Sequence, residues 1–158
     1  MTIRKLAELT DHLLRGQRLL GLDVGEKTIG LALSDVTLLI ATPLGTIKRS
    51  KFTRDAEKLA EIITEHEVGS LVIGLPINMD GSEGPRCQSV RQFAANILER
   101  METKIAFWDE RLSTVAVTRT MIEADISRAK QKQAVDKMAA AYILQGALDF
   151  LGNHRNDE

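Results

Sequence analysis

Three acids lie far apart in this 158-residue chain: Asp23, Glu110 and Asp136. Asp23 stands inside a nearly continuous apolar run of Leu19, Leu20, Leu22 and Val24. An acid there is costly to bury unless something compensates its charge. Glu110 follows an apolar segment that ends in Trp108-Asp109, and Asp136 opens an Ala-rich stretch. Brought into one cleft, three carboxylates would repel, and without a cation at least one would hold its proton above the usual range. A hard divalent ion relieves that conflict, and an all-oxygen donor set suits Mg2+ or Mn2+ rather than zinc. Two of the acids also have a plainer reading. Asp23 could be a solvated strand-end acid, and Asp136 a first-turn acid favoured by a helix dipole.

The elements that would position these acids follow from hydrophobic spacing. Leu19–Asp35 reads as two strands around a tight turn, with Gly25 and Gly30 where the backbone turns sharply or another group comes close. Leu38–Ile47 predicts a third strand, and Pro43 marks it as an edge or a bulge. Helical spacing covers Lys51–Glu65, Ser70–Leu75 suits a buried parallel strand, Pro85–Met101 is a second helix, and Lys104–Trp108 a last strand. A helix from Ser113 or Thr114 through Ala124, a polar loop Asp125–Lys132 and a long helix Gln133–Leu151 complete the fold. Thr2–Leu14 also carries a helical apolar stripe. The expected organisation is a helical extension over 1–17, one domain over 18–151 and a disordered tail over 152–158.

Three strands joined by short turns should be antiparallel neighbours, and strands reached through helices should run parallel to the first. The result is an α/β fold, a mixed five-stranded sheet of three antiparallel strands plus two parallel ones, with helices on both faces. Asp23, the segment after Leu75, and Glu110 then share the rim beyond the carboxyl ends of the parallel strands, where sites gather in such sheets. Asp136 shares a helical face with Ala139, Ala140, Ile143 and Ala147, which would carry it toward the sheet. Asp35, at the far end of the second strand, falls on the order of 15 Å from Asp23 and belongs to the opposite rim.

Composition bounds the rest. Hydrophobic residues make up 44% and charged ones 27%, as in ordinary soluble domains, and no apolar run is long enough for a membrane span. The net charge of −1 excludes a uniformly basic nucleic-acid-binding surface but not a local patch. His12, His66 and His154 lack zinc-type spacing and read as surface residues. Cys87 has no partner for an intrachain disulfide, which sets a reducing cytoplasm as the default. Trp108 and Tyr142 fall within elements expected to be buried.

Four blocks, GLDVGEKTIGLALSD, VIGLPINMDGSEG, WDERLST and VDKMAAAYILQ, resemble in order and spacing the YqgF or RuvX family. The resemblance spans roughly Arg18–Leu151. It implies a ribonuclease H-like fold and a metal-dependent nuclease acting on nucleic acid, either precursor rRNA at the 5′ end of 16S or branched DNA at a Holliday junction. It places the acidic trio on Asp23, Glu110 and Asp136, with Asp23 bridging a metal pair. Related resolvases carry a further acid near the last Asp, where this chain has Lys137 and Met138.

Lys27, Arg111, Arg128, Lys130, Lys132 and Lys137 form a candidate positive collar for the substrate. The Asn78–Gly84 loop, through Asn78, Gly81 and Ser82, could offer backbone N–H groups to a phosphate. Two other functions fit parts of the pattern. An actin-like ATPase also begins with an Asp-x-Gly hairpin but needs two such domains, and a non-catalytic RNA-binding factor would not need the complete trio. The sequence leaves the oligomeric state open, and junction resolution would call for a dimer.

Overall fold

The computed structural model describes the backbone over residues 5–112 and 128–156, and side chains over 5–11, 13–112 and 136–153. Five strands, β1 (Arg18–Val24), β2 (Thr28–Ser34), β3 (Ala41–Lys48), β4 (Val68–Leu75) and β5 (Ile105–Asp109), form one sheet in the order β3-β2-β1-β4-β5. β1, β2 and β3 are antiparallel neighbours, and β4 and β5 run parallel to β1. The mixed sheet is the one expected, because short turns can join only antiparallel neighbours, whereas α1 (Phe52–Glu65) and α2 (Pro85–Arg100) return the chain for parallel pairing.

Side-chain alternation gives the sheet two apolar faces. Leu20, Leu22 and Val24 of β1 join Leu59, Phe93 and Ile97 of α1 and α2 in one cluster. Leu19 of β1, Ala32 of β2, Val72 of β4 and Trp108 of β5 join Ala140, Ile143 and Leu144 of a long closing helix, α3 (Arg128–Asn156), in the other. Asp23 has the parity of Leu19 and so belongs to the α3 face. Gly21 lets that helix sit close, since a Cβ there would fall 2.7 Å from the Leu144 Cβ and 3.1 Å from the Ala140 carbonyl.

β3 is one of the two edge strands, and its register against β2 slips between Leu31 and Ala32, which is where Pro43 and Leu44 fall. The position expected from Pro43 is met, because a residue without an N–H is tolerated at an edge or bulge.

Several boundaries differ from those expected. Residues 6–12 form two short 3-10 turns, Leu6–Glu8 and Thr10–His12, instead of one helix over Thr2–Leu14. Leu13 is extended, and the Gln17 side chain accepts the Leu14 N–H at 2.8 Å, so the chain turns early into β1. Leu6, Leu9 and Leu13 of the apolar stripe still face inward, with Leu9 buried in the α3-side cluster, whereas Leu14, expected on the same face, is exposed. α3 already includes Arg128, within the stretch expected to be a loop, because Arg, Ala, Lys and Gln are strong helix formers and polarity decides only which side faces water. It also runs past Leu151 to Asn156. The helix expected over Ser113–Ala124 lies outside the described residues. Among the described residues, no helix is long and apolar enough to cross a membrane.

Candidate active site

Asp23 lies one position before the end of β1 and is 3% exposed. Its partner across the antiparallel pair is Gly30 of β2. On the other side, Leu22 pairs with Ile73 of β4, which leaves Gly74 level with Asp23. Residues level across a sheet point to one face. Asp23 therefore stands between two glycines, neither of which projects a side chain over the α3 face.

Other groups take up that space. Over Gly30 lies the Asp136 backbone, and a Cβ on Gly30 would collide with the Asp136 carbonyl. Over Gly74 lies the Glu110 carboxylate, whose Oε2 would be 3.1 Å from a Gly74 Cβ. Glu110 opens a single 3-10 turn, Glu110–Leu112, directly after β5. The flanking glycine positions are ~10 Å apart at the usual strand spacing, with Asp23 between them. The three acids expected from the sequence therefore come to one face and one rim of the sheet.

Neighbouring groups hold two of them in place. The Thr28 hydroxyl, at the first position of β2, donates to Asp136 Oδ2. Arg111 is locked to Asp109 through Nε and Nη2, the latter 2.7 Å from Asp109 Oδ2, and its own N–H donates to Asp109 Oδ1 at 2.9 Å. This pairing holds the Asp109 carboxyl below the usual carboxylate range and raises Arg111. It also braces the turn that presents Glu110.

The donor chemistry suits a hard divalent ion: three carboxylates, at most partly exposed, on a face cleared by two glycines. As the side chains stand, no three acidic, imidazole or thiol groups among the described residues are close enough to hold an ion. A bound ion would have to draw the three carboxylates inward.

The expected substrate contacts fare differently. Lys27 is exposed on the β1–β2 turn. Arg111 is exposed, but its charge is matched by Asp109. In the Asn78–Gly84 loop the Asn78 N–H donates to the Ser82 carbonyl, the Gly81 N–H to the Asn78 carbonyl, and the Ser82 N–H to Asp80 Oδ1. These three donors are thus engaged within the loop itself. The Ser82 hydroxyl and N–H also hold the Asp80 carboxyl below its usual value. The side chains of Arg128, Lys130 and Lys132 lie outside the described residues, although all three fall on α3.

Trp108 is buried in the α3-side cluster and Tyr142 packs partly buried against it. Cys87 is fully buried, and burial pushes its thiol up. Sequence reasoning missed Thr28 and Gly74. A glycine level with the acid on each adjacent strand is the signal that would have found Gly74, but it needs the strand register.

The RuvX family, described as Holliday junction resolvase, matches residues 17–150. A protein of Paramagnetospirillum magneticum named "Putative pre-16S rRNA nuclease" is 64% identical over 149 residues, covering 94% of this chain and 96% of that protein. One of Rhodospirillum centenum with the same name is 60% identical over 156 residues, covering 96% and 83%. Among solved structures, T. thermophilus RuvC in complex with a Holliday junction substrate superposes with a TM-score of 0.53 over 86% of this chain and 96% of that one, at 13% identity, and shares the ribonuclease H-like fold. On the extent of the family match and the level of identity to these relatives, the chain belongs to the RuvX family.

Proposed function

We propose that this chain, a nuclease by family, hydrolyses phosphodiester bonds of precursor rRNA at the 5′ end of 16S in the cytoplasm, with Asp23, Glu110 and Asp136 as its catalytic acids. One observation carries the assignment: Asp23 is flanked on its own face by two glycines, with Asp136 over one and Glu110 over the other. The relatives named for pre-16S rRNA favour the RNA substrate.

Asp23, Glu110 and Asp136 would hold Mg2+ or Mn2+, which when bound supplies Lewis acidity, lowers the pKa of an attacking water and offsets charge on the departing oxygen. The protein's own contribution is placement. Thr28 fixes one oxygen of Asp136. The Arg111–Asp109 pair sets the backbone from which Glu110 reaches over Gly74. Lys27, exposed on the adjoining turn, draws the polyanion toward the acids. Asn78 and Ser82 border the same rim.

Cleavage of a single RNA chain needs one active site, so this reading asks for no dimer. The family description favours a second substrate, branched DNA, whose resolution needs two sites acting together. Incubating the wild type and Asp23→Asn in Mg2+ with precursor rRNA and with a four-way DNA junction tests both. Cleavage of the rRNA by the wild type alone is expected. Turnover retained in Asp23→Asn would refute the site, and junction cleavage by a sedimenting dimer would favour the second substrate.

A further inference from the structure

Five of the eleven residues in 48–58 are Lys or Arg, in a chain whose net charge is −1. Lys48, Lys51, Arg54 and Lys58 are all exposed, as is Lys27. Lys48 ends β3 opposite Thr28, the residue that bonds Asp136. The basic segment thus begins at the rim that carries the acids, two strands from β1 and ~12 Å from the Asp23 backbone. The Arg49 N–H donates to the Lys27 carbonyl at 2.8 Å, which fastens the β1–β2 turn to the start of this segment. Lys51 and Arg54, with Ser50, Thr53 and Glu57, line an open hollow of about 430 Å³.

Three features separate these cations from an ordinary solvated face. Among the described residues, Lys27, Lys48, Lys51 and Arg54 form no ion pair. Asp55, the acid of the first turn of α1, is turned inward and accepts the Ser50 N–H at 3.0 Å, so its charge lies on the buried side. Lys51 and Arg54 also sit at the start of a helix, where the dipole disfavours cations, so helix stability does not account for them. Glu26 and Glu57 are the exposed acids bordering the strip. Arg49 is not part of it. Its guanidinium lies 5.4 Å from the centre of the Phe93 ring and donates to the Gly25 carbonyl at 2.7 Å.

We infer that Lys27, Lys48, Lys51 and Arg54 form a track for the phosphate backbone of the substrate strand on one side of the scissile bond. The inference rests on the nuclease reading above. The track reads charge spacing rather than base identity, so it holds the strand in place without choosing its sequence.

The test compares the wild type with K48A/K51A/R54A and the charge-preserving K48R/K51R/R54K. Affinity for a labelled single-stranded RNA is followed by fluorescence anisotropy across a salt series, with DNA of the same sequence as a second arm. The alanine variant should bind roughly tenfold or more weakly near ~0.1 M salt, and its log–log salt slope should fall by about two, at ~0.7 per single-strand contact. The charge-preserving variant should keep both values. The alanine variant's thermal midpoint should equal or exceed the wild type's, which excludes misfolding as the cause.

An alanine variant that is folded and binds with wild-type affinity and slope overturns the track, while wild-type cleavage would leave the nuclease reading standing. Binding that depends on the strip in a wild type that cleaves nothing would overturn the nuclease reading and keep the track as a binding surface. No binding of RNA or DNA by the wild type overturns both. Loss in the RNA arm, the DNA arm or both supports the track and identifies the backbone it prefers.

Discussion

Asp23 and Asp35 belong to the same β1–β2 hairpin, one near each rim of the sheet, and the fold treats them in opposite ways. Asp35 is satisfied by its own loop. Its carboxylate accepts the N–H groups of Thr37, Leu39 and Ile40, at 3.2, 2.8 and 2.9 Å, and the Thr37 hydroxyl as well. Those donors, the Ile40 N–H first, hold its carboxyl far below the usual range. Asp23 is buried, and the fold brings it toward two further acids seated over the glycines on either side. An acid whose charge is consumed by local N–H groups is structural. One placed where like charges gather calls for a cation.

Exchanging the two roles is the sharpest way to break this contrast. Asp23→Asn should lower turnover by roughly 10³ or more, with a thermal midpoint unchanged or raised as repulsion is relieved. Asp35→Asn should leave turnover intact and cost about 1 kcal/mol of stability through weakened hydrogen bonds. Steady-state kinetics and thermal melts on both variants read the two effects side by side, and equal turnover losses would erase the distinction.

Gly74→Ala should rank next. The added methyl meets Ile143 and Glu110 Oε2, so one substitution strains the core by about 1–3 kcal/mol and displaces a proposed catalytic acid. Turnover should fall well beyond what the lost stability explains, when assayed below the melting range.

Thr28→Val removes the hydroxyl that holds Asp136 and keeps the side-chain shape. Mn2+ affinity, measured by calorimetry, should weaken by about tenfold, and Thr28→Ser should restore it. An unchanged Mn2+ isotherm would show that Asp136 needs no such support.

The smallest effect is in acid. Because the folded protein holds the Asp35 carboxyl below its ordinary value, its contribution is complete above ~pH 4 and declines as pH falls further. The melting difference between wild type and Asp35→Asn should therefore be full at neutral pH and shrink below about pH 4. A gap that widens in acid would reverse the assigned sign.

The sheet was legible because its strands are short apolar runs separated either by tight turns or by amphipathic helices, which leaves few topologies. Asp136 could be placed on the sheet side of its helix from the small residues that share its face. The Glu110–Gly74 approach could not be read, since it depends on the register of β4 against both β1 and β5. The Asn78–Gly84 loop misled for a related reason. A polar, Gly-containing loop advertises N–H donors, and only the fold shows that those of Asn78, Gly81 and Ser82 are already engaged within it. At the N-terminus the apolar stripe of Leu6, Leu9 and Leu13 identified the inward side, but the Gln17 side chain and the early entry into β1 favoured two tight turns over a helix.

The seating of Asp136 against Gly30 joins the first strand pair to the last helix. During synthesis Asp23 leaves the ribosome long before α3 exists, so a growing chain carries the first acid without the last. On the proposed site, a nuclease aimed at the ribosome's own RNA would stay inert until α3 docks and brings Asp136 to Gly30.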